Sequence, residues 1–379
     1  MTVATLGLRL LAVSLAVPRC SHALLGSAGA WSVFSGPTAA GLSAGRILVV
    51  GDGDLSFSAA LAAHLPDSVS LLPTTLESEA TITERYSTAQ RSIDALVARG
   101  AAPQHGVDAT RLDGDTAAWD RIIFMFPHAP GKANVRRGRE LLSRFFASAA
   151  GVLAPGGEVL VSLRAPQAGL AEPTDSDASA TKSDNAAVLA WRLSWQPQLA
   201  AADAGLVLAQ DHPFDPYLLE GYAPRGHRGH GVDRKFDASR ACLLSFAQEG
   251  SAVPVARPLR FCFELQLVDS DNGSRAPPAA AVLVEAARAA AGNDGDDVCA
   301  AQLKEMYCPE NGAFAGCRCH IFAVTLASRR RALTAARADG LARRIEAGLM
   351  SGLPGAPWAL RRAGRPVSKA LPGAVAASA

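Results

Sequence analysis

No acidic residue precedes Asp52 in this chain of 379 residues, and the first 45 carry Arg9 and Arg19 as their only Lys or Arg. An acid-free leader containing Arg and Ser fits an organellar transit peptide, although Ser21-His22-Ala23 would also suit the end of a secretory-type signal. Residues 1–45 are therefore set apart from the fold as a targeting or disordered leader. A long apolar run is missing too: Leu8 to Val17 is too short and too interrupted to cross a bilayer, and no later stretch does better, so no membrane partner is expected. The seven cysteines, odd in number and irregular in spacing, make no disulfide framework and point to a reducing compartment. Cys308, Cys317, Cys319 and His320 are potential soft-metal ligands, but Cys317 to Val324 reads as alternation entering a strand and not as ligand pairs across short turns, so no metal is assigned.

What is present begins with charge placement. The net charge of +2 says little, yet residues 316–379 hold eleven Arg and Lys against only Asp339 and Glu346. A basic end suits an anionic partner, and a merely solvated face has the same composition. With 49% hydrophobic and 19% charged residues, the chain can bury a sizeable core and is long enough for two domains.

The stretch that organises the first domain is Arg46-Ile47-Leu48-Val49-Val50-Gly51-Asp52-Gly53-Asp54-Leu55-Ser56-Phe57-Ser58. Four aliphatic residues in a row fit a strand buried on both faces of a parallel sheet. Gly51 and Gly53 let the backbone turn sharply and let a ligand approach it, while Ser56 or Ser58 can cap the helix through Leu61 and Leu65. An ordinary tight turn leaves the same signature, because the third glycine of the dinucleotide fingerprint is absent. No Lys follows in Walker fashion, which disfavours ATP hydrolysis.

From there strand and helix alternate. Val69–Leu72 is a second strand ending near Glu77; Ile82, Tyr86, Ala89, Ile93, Leu96 and Val97 form one helical stripe closed by Gly100. A short segment then leads to Asp108, Trp119–Phe126 supplies a strand ending at Pro127 and His128, a helix runs through Leu141 to Ala149, and Glu158–Arg164 is a further strand. This pace means an α/β fold with a parallel, doubly wound sheet, whose ligands sit at the carboxyl ends of the strands. Asp52, Asp54, Glu77 and Asp108 all fall there. An acid beyond the second strand can take ribose hydroxyls and one beyond the third can accept from an adenine amino group, so the series favours a nucleoside-containing cofactor, although each acid alone also suits a helix cap or a solvated loop.

Val50–Ser58, His105–Thr110, Asp120–His128 and Leu141–Phe146 together resemble the Rossmann-like domain of the large-subunit rRNA uridine-N(3) methyltransferase family, over about 46–248. Trp195 with Gln198-Leu199, and Pro213-Phe214-Asp215 leading to Gly221-Tyr222, look like that family's closing region. The resemblance implies S-adenosylmethionine as methyl donor, held by Gly51, Asp52, Gly53, Asp54, Ser56, Glu77, Asp108 and Ala109. It also implies RNA, with rRNA favoured over tRNA and no DNA, as the acceptor. Phe126, Pro127 and His128 would then serve the transfer, His128 as base or hydrogen-bond partner and Phe126 or Tyr222 as a surface on which a splayed-out base stacks; each would equally serve as a structural residue of the core or strand end. Two departures stand out. Met125 replaces the Asn that usually precedes Phe-Pro-His, and residues 168–185 form a low-complexity insertion. An organelle, plastid or mitochondrion, is expected from the leader; nucleolus or cytoplasm is the alternative implied by the family.

Beyond Pro254 the pattern becomes strand, helix, strand, strand, helix, strand, a split β-α-β arrangement. Residues 255–362 resemble the ferredoxin-fold anticodon-binding domain found at the end of phenylalanyl-tRNA synthetase chains, through Ile321–Leu326, Arg331–Thr334 and Trp358–Arg361. Arg329, Arg330, Arg331, Arg343 and Arg344 would meet backbone phosphates, and residues 363–379 read as a disordered tail. A different class of function stays open beside the enzyme: an RNA-binding protein that keeps a methyltransferase fold without turnover.

Overall fold

Ile47, Leu48, Val49 and Val50 are all buried because strand β1 (Gly45–Val50) runs between two cores. Ile47 and Val49 point into one, Leu48 and Val50 into the other, which is the alternation a two-sided sheet imposes. The structure is a computed structural model describing residues 34, 45–112, 118–129, 134–169, 189–226, 236–238, 240–251, 255–269, 276–308, 310 and 316–349, with the backbone of 358–361 and 368–372. The rest of the leader and residues 170–185 of the insertion lie outside the described residues.

Following β1, the first sheet is built from α1 (Ser56–Ala62), β2 (Val69–Thr75), α2 (Glu79–Arg85), α3 (Ala89–Ala98), β3 (Gln104–His105), β4 (Trp119–Met125), α4 (Val135–Val152), β5 (Leu153–Arg164), α5 (Ala165–Ala168), α6 (Pro197–Asp203), β6 (Leu206–Phe214) and β7 (Ala241–Gln248). Its strand order is β3-β2-β1-β4-β5-β7-β6. β1 is parallel to β2 and β4, and β4 to β5, whereas β7 is antiparallel to both its neighbours. The chain steps outward from β1 to β3 and then returns to the other side at β4. That switch point opens a crevice between the carboxyl ends of β1 and β4.

Three local expectations are corrected. The stripe from Ile82 to Val97 is not one helix: it breaks after Arg85, Tyr86 is extended (φ −119°, ψ 120°), and α3 begins at Ala89. The break turns the Thr88 hydroxyl onto Asp54 Oδ2 at 2.8 Å, and Val97, last on the stripe, is 58% exposed. β5 starts at Leu153, five residues before Glu158; the Pro155-Gly156-Gly157 segment is absorbed as an irregularity between the Trp119–Leu153 and Arg121–Glu158 pairs. And the leader is not wholly separate, since Phe34 is fully buried, edge-on to Phe57 and Phe214 at 5.1 and 5.7 Å between ring centres.

The second sheet comprises β8 (Leu259–Asp269), α7 (Ala280–Ala291), β9 (Val298–Tyr307), β10 (Cys319–Ala327), α8 (Ala335–Leu349), β11 (Trp358–Arg361) and β12 (Ser368–Pro372). Its order is β11-β8-β10-β9, antiparallel throughout, with β10 split between β8 and β9 as the sequence pattern implied. The tail is not wholly irregular: β12 pairs with Leu259–Cys262 of β8. β11 covers only Gln266–Asp269 of that strand, so β12 satisfies edge groups that would otherwise be open.

One cluster joins the two sheets, with Trp191, Ala202 and Val207 packed among Phe261, Phe322, Leu341 and Ile345. Across the same seam the Ala256 N–H donates to the Leu208 carbonyl at 2.8 Å, Arg337 pairs with Glu249 at 2.6 Å, and Arg257 pairs with Asp211. Of the arginines expected to face phosphate, Arg331 is mostly covered, whereas Arg330, Arg343 and Arg344 have side chains 87%, 77% and 52% exposed. Arg331 meets Asp294 and Asp297, Arg344 meets Asp294, and Arg343 meets Asp339. The acidic turn after α7, invisible as a partner in the sequence, is folded against them.

Between β4 and β5, Arg121 and Glu158 form an ion pair at 3.1 Å with side chains 3% and 10% exposed. Removing one member of so buried a pair leaves an uncompensated charge. Glu158→Ala is expected to destabilise by about 3–5 kcal/mol and Phe34→Ala by about 3–5 kcal/mol. Both are measured by denaturant unfolding, and a Phe34→Ala loss below about 1 kcal/mol would place Phe34 outside the core.

Candidate functional site

The turn from β1 into α1 is held by its acids and not by its serines. The Asp52 N–H donates to the Thr74 carbonyl at 3.1 Å, tying the turn to β2, and Asp52 Oδ2 accepts the Ser58 N–H at 2.7 Å. Asp54 Oδ1 accepts the Ser56 N–H and hydroxyl at 3.1 and 2.6 Å. The helix therefore begins after Leu55, in the left-handed region at φ 59° with no side-chain cap of its own, and the two carboxylates satisfy N–H groups of its first turn. Gly51 sits at φ +64°, and a Cβ there would lie 2.7 Å from the Phe124 ring, so both backbone and packing require glycine.

Asp52 and Asp54 are 6% and 5% exposed. Burial, then the neighbouring Asp54 charge, pushes the Asp52 carboxyl up from 3.8 to about 7, against the pull of the hydrogen bonds from Ser58 and Phe57. Such a displaced acid in a cleft is a functional-site signal when geometry supports it.

The geometry is a cleft of about 760 Å³ at the carboxyl ends of β1, β2, β3 and β4, within the range of small-molecule sites. Gly51, Asp52, Gly53, Asp54, Glu77, Asp108, Ala109, Phe126, Pro127 and His128 all line it. Ser56 does not; its polar groups serve Asp54. Glu77 Oε2 is paired with Arg85. Burial works against the charge on Asp108, but the Thr110 N–H and hydroxyl, both 2.8 Å from Oδ1, with Arg144 and Arg111 nearby, hold its carboxyl below the ordinary value. His128 is exposed and Met125 is buried, and both line the cleft. Tyr222 reaches the same cleft with its ring edge-on to Phe57 at 5.3 Å; burial, then the Asp52 charge, raises its phenol well above the ordinary value.

Sequence reasoning missed the basic part of the lining. Arg137, Glu140, Leu141 and Arg144 of α4 line the cleft, with Arg164, Gln167, Arg225, Phe236 and Asp237. The spacing of 137, 140, 141 and 144 is itself a helical stripe and could have been read. Arg164, Arg225 and Phe236 are gathered from distant segments and left no signal. The cleft is thus lined by acids from the ends of β1–β3 together with arginines carried by α4 and the end of β5. Phe126, also in the lining, sits at φ 48°, an uncommon backbone for a bulky residue and one that collects at functional sites. Among the described residues no group of three or more His, Cys, Asp or Glu is placed to hold a metal.

Residues 48–226 match the family model described as "rRNA (uridine-N3-)-methyltransferase BTM5-like". Among curated proteins, the mouse "Ferredoxin-fold anticodon-binding domain-containing protein 1 homolog" is 37% identical over 207 residues, 54% of this chain and 31% of that protein. Its human counterpart is 36% identical over 220 residues, 56% of this chain and 33% of that protein. The chain thus spans about a third of the length of these relatives. A solved structure of TrmN from Thermus thermophilus aligns with a TM-score of 0.33 at 15% identity, covering 60% of this chain and 51% of that one.

Between pH 3.8 and about 7 the folded state keeps an Asp52 proton that the unfolded chain has lost, so this group's contribution to stability falls as pH rises through that window. Asp52→Asn, which mimics the protonated carboxyl, is expected to match or exceed the wild type in urea unfolding at pH 8, with the difference closing by pH 4. A variant less stable than wild type at pH 8 would show that the charged carboxylate holds the turn.

Proposed function

We propose that this chain, whose residues 48–226 carry a BMT5-like domain, is an S-adenosylmethionine-dependent methyltransferase acting on RNA, with N3 of uridine in rRNA as the modified position. The observation that carries the reading is convergence: Asp52, Glu77 and Asp108, from the ends of three successive strands, line one cleft. The donor fits that acidic wall by charge as well as size, because its amino and sulfonium groups are cationic. Asp52, with the Gly51 and Gly53 backbone, would hold the methionine portion, Glu77 the ribose hydroxyls and Asp108 the adenine amino group.

The bound donor supplies an electrophilic methyl group, so the protein's task is alignment and management of the acceptor's proton. Phe126 offers a ring face to a flipped base, and His128 is placed to accept a proton or a hydrogen bond. The arginine wall suits a polyanion. It would add to the phosphate contacts expected of Arg343 and Arg344, whose side chains stay 77% and 52% exposed beside their acidic partners.

The second reading, an RNA-binding protein without turnover, is favoured by one observation: Met125, 7% exposed, occupies the position where the resembled family has Asn. Calorimetry with S-adenosylmethionine separates the two. The wild type is expected to bind, and Asp52→Ala and Asp108→Ala each to weaken binding by about tenfold or more. Methyl transfer to total rRNA and tRNA, followed by nucleoside analysis, is expected to yield 3-methyluridine. A wild type that does not bind the donor would overturn the enzyme reading; one that binds it but modifies no RNA would favour the second.

A further inference from the structure

We propose that His105 is a positioning residue for the methyl donor: from behind the cleft lining, through the Thr75 hydroxyl, it ties the loop that carries Glu77 to the loop that carries Asp108. This rests on the donor assignment made above and names the residue that would set the spacing between the ribose and adenine contacts. His105 ends β3 and Thr75 ends β2, and the two are partners in the parallel register. Glu77 follows Thr75 by two positions and Asp108 follows His105 by three. Thr75, Glu77, Val107 and Asp108 line the cleft, and His105 is not among its lining residues.

The hydrogen bonds that make this tie can run in one direction only. The hydroxyl of the buried Thr75 lies 2.7 Å from the Glu77 carbonyl and 2.8 Å from His105 Nδ1. A carbonyl only accepts, so the single hydroxyl proton goes to Glu77 and the oxygen accepts from Nδ1, which therefore carries a hydrogen. His105 thus donates to Thr75, and Thr75 donates to the main chain of Glu77. The Val107 N–H donates to the Thr75 carbonyl at 2.9 Å, so Thr75 holds both loops, one through each of its oxygens. Arg85 then pairs with Glu77 Oε2, which fixes the carboxylate once its main chain is placed. Glu79 Oε2 lies 3.6 Å from His105 Nε2 on a side chain 60% exposed, a screened contact that adds little. Without the Nδ1 donor the shielded Thr75 oxygen loses a partner. The loop after β2 is then free to shift relative to Asp108, and a donor that must touch both acids meets them at the wrong spacing.

The test uses the full chain and two ligands, S-adenosylhomocysteine and its 2′,3′-dideoxy analogue, with affinities read by calorimetry. The wild type is expected to bind the first about tenfold tighter, the difference being the ribose contact of Glu77. His105→Leu should cut that preference to about twofold. His105→Asn, whose amide N–H takes the place of Nδ1, should keep it, and His105→Gln, whose amide reaches instead to the place of Nε2, should lose it. Thr75→Val should lose it as well, and adding His105→Leu to Thr75→Val should change nothing further, because the two residues act in one chain. A residue that merely fills space would weaken both ligands alike and leave their ratio intact. If His105→Leu does not fold, His105→Asn and His105→Gln still decide. A wild type without the ribose preference, a ratio unchanged in His105→Leu, or one kept by His105→Gln as well as by His105→Asn would overturn the proposal even with donor binding intact. A wild type that binds neither ligand would instead sink the methyltransferase reading.

Discussion

Two carboxylates buried against the first turn of a short helix set the geometry of everything around them. Asp52 and Asp54 lie close enough for one charge to oppose the other, and they persist because N–H groups of α1 have few other partners. Through its backbone Asp52 also fixes the spacing between β1 and β2, and through Thr88 Asp54 fixes the start of α3. The raised Asp52 pKa follows from the same packing: burial and the Asp54 charge both oppose its ionisation.

The same economy explains the lining of the cleft. A doubly wound sheet brings successive strand ends to one edge whatever their sequence, so acids placed after β1, β2 and β3 must meet. The arginine wall has a different origin. It depends on α4 returning across the sheet and on the segment after β6 folding back so that Phe236 and Asp237 reach Phe126 and Arg164.

The C-terminal sheet is joined to this body and not merely tethered to it. Trp191 and Val207 belong to its apolar cluster, and Glu249 ties the end of β7 to α8 through Arg337. Ion pairs with the acidic turn after α7 offset part of the charge at Arg331 and Arg344.

By itself the sequence showed the alternation of strand and helix from β1 to β5 and the strand and helix pattern from β8 to β11, because apolar runs and alternation are local properties set by which faces are buried. It also determined that acids would stand at successive strand ends, and four motifs in series marked the family resemblance. Only the tertiary structure decided that Asp52 and Asp54, not Ser56 and Ser58, cap α1, that the stripe from Ile82 breaks at Tyr86, and that Phe34 belongs to the core. Only it could pair Arg331 with Asp297 and Arg164 with Asp237, 34 and 73 positions apart. Local pattern fixes what a residue can do; which partner it meets depends on how distant segments are brought together, and no spacing along the chain records that.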